Sequence, residues 1–278
     1  MDEHPVTTAD FLIGLQGLAV LRRWGGRWDV TSRRDEVGEL LAVARDPDQR
    51  QIVFEERDVV TGYSTIAATY DDNATNMVIH AEQPIVQGLL AGQPAGRALD
   101  AACGTGRHAA FLVERGHEVI GVDQTPAMLD RARATVPAAR FETGTLEALP
   151  LEDATVDLVV CALALTHVEQ LTPAVVELAR VVKPGGRVVV SDVHPVSCLL
   201  GLQTFETGGG QFVRNRVRTH SQYLAAFRAA GLEVRDCVEP AWTDDLIVTQ
   251  PWTRPIESAA RDALQGLPLV LIWDLART

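Results

Sequence analysis

A glycine-rich turn between residues 97 and 109 carries the clearest chemical signal in this sequence. The stretch reads Arg-Ala-Leu-Asp-Ala-Ala-Cys-Gly-Thr-Gly-Arg-His-Ala, so an apolar run leads through Asp100 to Gly104 and Gly106. Glycine adopts backbone angles closed to other residues and leaves room for a ligand against the main chain. The N–H groups of a following helix would face the same space. The pattern therefore predicts a nucleotide-binding turn.

Two kinds of nucleotide cofactor fit this turn. Read as Gly104-x-Gly106-x-x-Ala109, it also matches the dinucleotide fingerprint, which is a weak signal on its own. A second apolar run ends in Asp123, an acid placed to accept hydrogen bonds from both hydroxyls of a ribose. Because either cofactor would use that acid, the choice depends on other segments.

Two further features favour one cofactor. Asp100 precedes the glycines, and residues 178–192 read Leu-Ala-Arg-Val-Val-Lys-Pro-Gly-Gly-Arg-Val-Val-Val-Ser-Asp. With these motifs the chain resembles the class I S-adenosylmethionine-dependent methyltransferases, specifically the small-molecule type similar to the ubiquinone/menaquinone methyltransferase group. The resemblance covers residues 60–278, with Ala102 standing where the family has a glycine. It implies S-adenosylmethionine as the cofactor and S-adenosylhomocysteine as its product.

The resemblance also implies which residues hold the cofactor. Residues 121–128 resemble the second-strand acid with its following helix, and residues 144–157 resemble the adenine segment. The family usually has Asp at the position of Thr145, so the backbone N–H of Leu146 is the safer adenine contact. The expected cofactor-binding residues are Tyr70, Asp100, Ala102, Gly104, Gly106, Asp123, Gln124, Met128, Thr145, Leu146 and Ala162.

Methyl transfer from a sulfonium demands little of the protein's side chains. The protein must hold a nucleophile in line with the S–CH₃ bond, and such positioning contributes ~7–11 kcal/mol. A base is needed only when the nucleophile arrives protonated. His194, directly after the fifth predicted strand, is the first candidate base; His167, at the exit of the fourth strand, is the second, and His80 is the third. Each has a structural alternative, such as a hydrogen bond to loop backbone.

The elements that must position these residues alternate along the chain. Short Val/Ile/Leu runs at 118–123, 156–161 and 187–191 are separated by segments with helical patterns. Such alternation predicts an α/β fold with a doubly wound, mostly parallel sheet. The run 267–275 reads as a closing strand. By resemblance it is antiparallel beside the fifth strand, which gives the seven-stranded sheet of the Rossmann-like methyltransferase fold.

Three segments lie outside that scaffold. Residues 1–60 have helical patterns and are expected to form an N-terminal helical cap, before a methyltransferase domain over 61–278. Residues 195–219 and 239–266 are expected to be lid insertions, because ligands bind beyond the carboxyl ends of the strands in open α/β sheets. A dimer interface or a simple cover for the sheet is the alternative for each.

The composition argues against several classes of binding partner. The net charge of −12 argues against a large nucleic-acid surface, which needs clustered Lys and Arg. The sequence has no run near the roughly 18 apolar residues of a membrane span, and its start lacks a basic signal region. Four dispersed cysteines, without metal-type pairing, suit a reducing cytoplasm. We therefore expect a cytoplasmic monomer or homodimer with a small-molecule acceptor, no membrane or nucleic-acid partner and no metal.

Three function classes remain open. Methyl transfer to an oxygen, nitrogen or carbon of a small molecule is favoured, and an electron-rich aromatic carbon such as an indole position is among the acceptors. Lys183 is the sole lysine among 25 Lys plus Arg, a bias typical of GC-rich genomes that favours a natural-product pathway. An NAD-dependent oxidoreductase and a catalytically inactive cofactor-binding protein are the alternatives, since fold alone does not decide function.

Overall fold

The computed structural model describes residues 7–23, 30–45, 54–71, 76–205 and 210–278. Its helices are α1 (Thr8–Arg22), α2 (Val30–Ala44), α3 (Val59–Ile66), α4 (Met77–Ala91), α5 (Arg107–Glu114), α6 (Pro126–Thr135), α7 (Leu171–Val181), α8 (Pro195–Leu199), α9 (His220–Ala229), α10 (Asp244–Val248) and α11 (Glu257–Leu264). Its strands are β1 (Glu55–Arg57), β2 (Arg97–Ala101), β3 (Glu118–Asp123), β4 (Arg140–Thr143), β5 (Val156–Ala162), β6 (Val182–Val193), β7 (Thr204–Phe205), β8 (Gln211–Val213), β9 (Leu232–Val238) and β10 (Val270–Arg277).

The main sheet has the strand order β4-β3-β2-β5-β6-β10-β9. Neighbours from β4 through β6 run parallel, whereas β10 is antiparallel to both β6 and β9. This arrangement confirms the predicted doubly wound, seven-stranded sheet and the antiparallel closing strand beside the fifth. The chain winds outward from β2 to β4 and resumes on the other side at β5, so a switch point lies between β2 and β5.

The core lies on both faces of this sheet. Leu158, Val159 and Val160 of β5 and the run Val188–Val190 of β6 are almost fully buried. Near-continuous apolar runs are typical of parallel strands that helices cover on both sides. Phe227 of α9 packs edge-on against Trp273 of β10, with ring centroids 5.3 Å apart. The central strands are therefore fixed rigidly, which holds the loops at their carboxyl ends in place.

The chain divides into two compact units, and the larger contains this sheet: residues 56–240 with 268–278. In the same unit, β7 and β8 pair antiparallel and join β1 in a separate three-stranded sheet. Residues 195–219, expected as a lid, thus contribute α8, β7 and β8. Their role as a lid stays a prediction.

The smaller unit combines residues 1–55 with 241–267. Thr7 and Asp10 form a capping box at the start of α1, and the buried Arg33 side chain pairs with Asp262 of α11. Most residues of the expected cap (1–60) and the expected second lid (239–266) thus belong to one compact unit, and their roles as cap and lid stay predictions. This pairing joins segments far apart in the chain, and sequence patterning gave no sign of it.

Candidate active site

A cleft opens at the carboxyl ends of β2, β3 and β5, beside the switch point. Its cavity volume is about 220 Å³. Its lining includes most of the residues expected to hold the cofactor: Tyr70, Ala102, Gly104, Asp123, Gln124, Met128, Thr145, Leu146 and Ala162. The remaining two, Asp100 and Gly106, lie behind the lining. The structure thus assembles residues from five separate segments around one space.

The glycine-rich turn has the backbone that its composition predicts. Gly104 and Gly106 have φ of 53° and 88°, and α5 begins directly after Gly106. A Cβ on Gly104 would meet no protein atom within 4 Å, so the cleft beside this residue is open. Ala102 also has a positive φ of 56°, a conformation that glycine adopts without strain. The substitution of alanine therefore leaves the turn intact at an energetic cost.

Asp123 links the turn to β3. Its Oδ2 accepts a hydrogen bond from the Gly104 N–H at 2.9 Å, and its Oδ1 accepts one from the Thr125 N–H at 2.8 Å. Burial raises the pKa of this carboxyl, and the backbone hydrogen bonds oppose that rise. Each oxygen retains a lone pair, so the carboxylate can still accept hydrogen bonds from a ligand in the cleft.

Asp100 supports the turn from behind. Its Oδ2 accepts a hydrogen bond from the Ala109 N–H in the first turn of α5, at 2.8 Å. Burial raises the pKa of this carboxyl to about 6. The side chain fixes the first turn of α5 against β2 and does not itself line the cleft. A direct contact of Asp100 with the cofactor stays a prediction.

A buried acid that was not predicted from the sequence, Glu82, also supports the turn. Glu82 of α4 is fully buried; it accepts hydrogen bonds from Arg107 at 2.7 Å, from His108 at 3.1 Å and from Ser191 at 2.9 Å. Burial alone would raise its pKa, but the charge of Arg107 and the bond from His108 lower the pKa to about 2. Glu82 lies on the same helix face as the buried Val86 and Leu90, at spacings of four residues. An acid on an apolar helix face is unusual, and this feature of the sequence could have identified it.

His167 lines the cleft at the exit of β5 and forms a dyad with Tyr63 of α3. The hydroxyl of Tyr63 lies 2.8 Å from Nε2 of His167, and Nδ1 lies 3.0 Å from the carbonyl oxygen of Arg214. A carbonyl only accepts, so Nδ1 carries the proton and Nε2 accepts from the Tyr63 hydroxyl. Burial lowers the pKa of His167 to about 4 and raises that of Tyr63 well above its usual range. The imidazole is therefore neutral at physiological pH, with a fixed tautomer.

The other two candidate histidines lie outside the cleft lining. His80 is exposed on α4. His194 is buried at the end of β6, where its Nδ1 accepts from the Val196 N–H at 3.1 Å and its Nε2 lies 2.8 Å from Oε1 of Glu239. Both ring nitrogens of His194 are thus used within the protein. Of the three candidate bases, the geometry favours His167.

Comparisons with known proteins agree with the cleft and the fold. Residues 99–190 match the protein family described as "Methyltransferase domain". Malonyl-[acyl-carrier protein] O-methyltransferase of Serratia marcescens is 35% identical over 133 residues, which is 48% of this chain and 51% of that protein. Demethylmenaquinone methyltransferase of Deinococcus radiodurans is 41% identical over 105 residues, which is 36% of this chain and 44% of that protein. The chain thus spans about half the length of these relatives.

A solved structure extends the agreement beyond the matched domain. The S-adenosylmethionine-dependent methyltransferase from Mesorhizobium loti superposes with a TM-score of 0.56 at 26% identity, covering 71% of this chain and 98% of that one. The fold, the cleft and these matches define a class I methyltransferase domain. Residues 99–190 thus match a methyltransferase domain, and the fold around them is that of solved S-adenosylmethionine-dependent methyltransferases, in agreement with the resemblance in the sequence. The comparisons do not favour the two alternative function classes.

In the described parts of the chain, no helix combines the length and the apolar character needed to cross a membrane.

Proposed function

We propose that this protein transfers the methyl group of S-adenosylmethionine to a small-molecule acceptor bound in the cleft. The observation that carries the proposal is the placement of the Tyr63–His167 dyad in the same cleft as the glycine-rich turn and Asp123. The names of the two relatives support a small-molecule or carrier-bound acceptor. We extend the proposal to an acceptor from natural-product biosynthesis, with an aromatic carbon such as an indole position among the candidates.

The lining fits the cofactor chemically. The open space at Gly104 admits a ligand against the main chain, and the free lone pairs of Asp123 suit ribose hydroxyls. Four lining residues would hold the adenosine part: Gln124, Met128, Thr145 and Leu146. When bound, S-adenosylmethionine supplies a methyl group that its sulfonium makes electrophilic. The protein's own part is to align the acceptor and to receive its proton.

The dyad supplies the route for that proton. The Tyr63 hydroxyl donates its hydrogen to Nε2 of His167, so an oxygen lone pair of Tyr63 is left to accept a hydrogen from the acceptor. As the acceptor oxygen or nitrogen gains the methyl group, its proton passes to Tyr63 while the Tyr63 proton passes to His167. The low pKa of His167 keeps Nε2 unprotonated above about pH 4. A carbon acceptor loses its proton after methyl transfer, through the same pair.

Mass spectrometry of reactions with S-adenosylmethionine and a panel of hydroxyl, amine and aromatic-carbon acceptors tests the proposal. We expect a product heavier by one methyl group. For a hydroxyl acceptor, His167→Ala lowers the single-turnover rate roughly 10²–10⁴-fold, and Tyr63→Phe lowers it in the same direction. Neither changes the affinity for S-adenosylhomocysteine. The exposed His80→Ala is the matched control, with an unchanged rate.

Binding measurements test the cofactor site separately from catalysis. Asp123→Ala removes a charged hydrogen-bond acceptor, so we expect S-adenosylhomocysteine to bind more weakly by ~1.5–3 kcal/mol in calorimetry. NADH should give no thermal stabilisation. Stabilisation by NADH alone, or the absence of methylated product from every acceptor class, would overturn the proposed function.

A further inference from the structure

Three side chains that could bind a metal ion meet near the carboxyl ends of β6 and β9, and none of them lines the cleft. His194 follows β6, His220 is the first residue of α9, and Glu239 follows β9. Nε2 of His194 and Nε2 of His220 lie 2.8 and 2.9 Å from the same carboxylate oxygen, Oε1 of Glu239. One ligand atom from each of the three residues lies within 4.8 Å of the other two. Elements distant in the sequence therefore place two imidazoles and a carboxylate around one point.

The surroundings of the cluster would hold these ligands in place. The ring of His194 is buried, and the ring of His220 packs edge-on against the buried Trp273 at 5.8 Å between centroids. The side chains of His220 and Glu239 are 40% and 46% exposed, so one side of the cluster opens to solvent. An ion could enter from that side, and water could complete its coordination.

The donor set selects the class of ion. Two imidazole nitrogens and one carboxylate oxygen suit Zn²⁺, Co²⁺ or Ni²⁺, whereas Ca²⁺ and Mg²⁺ prefer sites made of oxygen ligands. The negative carboxylate and the net charge of −12 also favour a cation over an anion. We propose that His194, His220 and Glu239 form a binding site for a divalent transition-metal ion, which cross-links the ends of β6, α9 and β9.

Ion binding must rearrange the protons of the cluster. Without an ion, Nδ1 of His194 accepts from the Val196 N–H, so Nε2 carries the ring proton and donates it to Glu239. When a metal ion takes the lone pair of Nε2, the ring proton moves to Nδ1 and the imidazole stays neutral. The Val196 N–H then loses its acceptor. We therefore expect affinity to fall with decreasing pH, because protons and the ion compete for both imidazoles.

Titration of the 278-residue protein, carrying no polyhistidine tag, with CoCl₂ tests the site. We expect visible d–d absorption bands that saturate at one ion per chain, and quenching of tryptophan fluorescence because Trp273 lies beside His220. ZnCl₂ should compete for the same site and raise the thermal unfolding temperature. His220→Ala and Glu239→Ala should each weaken Co²⁺ binding by more than roughly 100-fold.

Two control variants keep the result specific. His80→Ala removes an exposed histidine elsewhere and should bind Co²⁺ as the unaltered protein does. Cys237→Ser removes the exposed thiol near Glu239 and should likewise leave the bands unchanged. Far-UV circular dichroism verifies folding, and His220→Gln replaces His220→Ala if the latter does not fold. Saturation that survives His220 substitution, or that disappears in Cys237→Ser, would overturn the proposed site.

Discussion

Glu82 is expected to be a principal electrostatic support of the glycine-rich turn. It is fully buried and bonds Arg107, His108 and Ser191, so one carboxylate joins α4 to the start of α5 and to β6. Glu82→Gln keeps the shape of the side chain but removes its charge. The guanidinium of Arg107, whose side chain is only 18% exposed, is then left without its anionic partner. Removing one partner of a buried ion pair is strongly destabilising.

The pKa of Glu82 gives the size and the sign of the effect. Its pKa is about 2 in the folded protein, against 4.5 for an ordinary glutamate. At 1.36 kcal/mol per pKa unit, the ionised form stabilises the fold by ~3 kcal/mol. Because the folded-state pKa is depressed, this stabilisation is fully present above about pH 4.5 and is lost as the pH falls toward 2. At pH 3.5 about 2 kcal/mol should remain.

Urea denaturation followed by circular dichroism, at pH 7 and at pH 3.5, measures this difference. We expect Glu82→Gln to unfold with ~3 kcal/mol less free energy at pH 7 and with a smaller deficit at pH 3.5. Glu118→Gln is the matched control, because its ion pair with Arg97 is 3.5 Å long and exposed; its effect should be below ~1 kcal/mol. A deficit below ~1 kcal/mol for Glu82→Gln, or one that does not depend on pH, would refute this account of the network.

Three further predictions concern the same unit of the protein. Ala102→Gly should stabilise the fold by about 0.5–1 kcal/mol in urea denaturation, because relief of the positive φ exceeds the added chain entropy of glycine. Asp100→Asn should stabilise the fold by up to about 3 kcal/mol at pH 8 and by little at pH 4, again measured by urea denaturation. The pKa of Asp100 is raised to about 6 in the folded protein, so the stability that its protonated form contributes at low pH is lost as the pH rises through 6. Arg214→Ala should cost less than ~1 kcal/mol and leave the pH profile of methyl transfer unchanged, because its ion pair with Glu56 is exposed and His167 contacts only the Arg214 backbone.

The fold could be predicted because the relevant patterns are local. The apolar runs of β3, β5 and β6 and the glycine-rich turn each lie within a few consecutive residues, and the main sheet follows their predicted alternation. The union of residues 1–55 with 241–267 could not be predicted in this way. It depends on pairings such as Arg33 with Asp262, and no local spacing encodes contacts between segments so far apart.

The sequence points to cofactor-binding residues more directly than to a catalytic base, and both sets of residues stay predictions. Gly104 and Asp123 belong to motifs whose residue types are dictated by backbone conformation and by ribose chemistry. For the bases, position at a strand end favoured His194 over His167, yet both follow strands of the same sheet. What separates them is the set of partners of each ring: the nitrogens of His194 bond Val196 and Glu239, whereas His167 faces the cleft with Tyr63.

The hydrogen bond between Nδ1 of His167 and the Arg214 carbonyl oxygen could not be predicted from residue types. The tautomer of His167 depends on the carbonyl oxygen of Arg214, just beyond β8, and every residue type supplies such an oxygen. The same strand, β8, pairs with β7 and stands beside β1 in the three-stranded sheet. If this sheet shifts, Nδ1 of His167 loses its hydrogen-bond acceptor, and the ring proton can move to Nε2. A protonated Nε2 cannot accept the hydrogen bond from the Tyr63 hydroxyl. The readiness of the proposed base therefore depends on the position of a backbone segment, so variants that displace β8 should impair proton transfer more than variants of the Arg214 side chain.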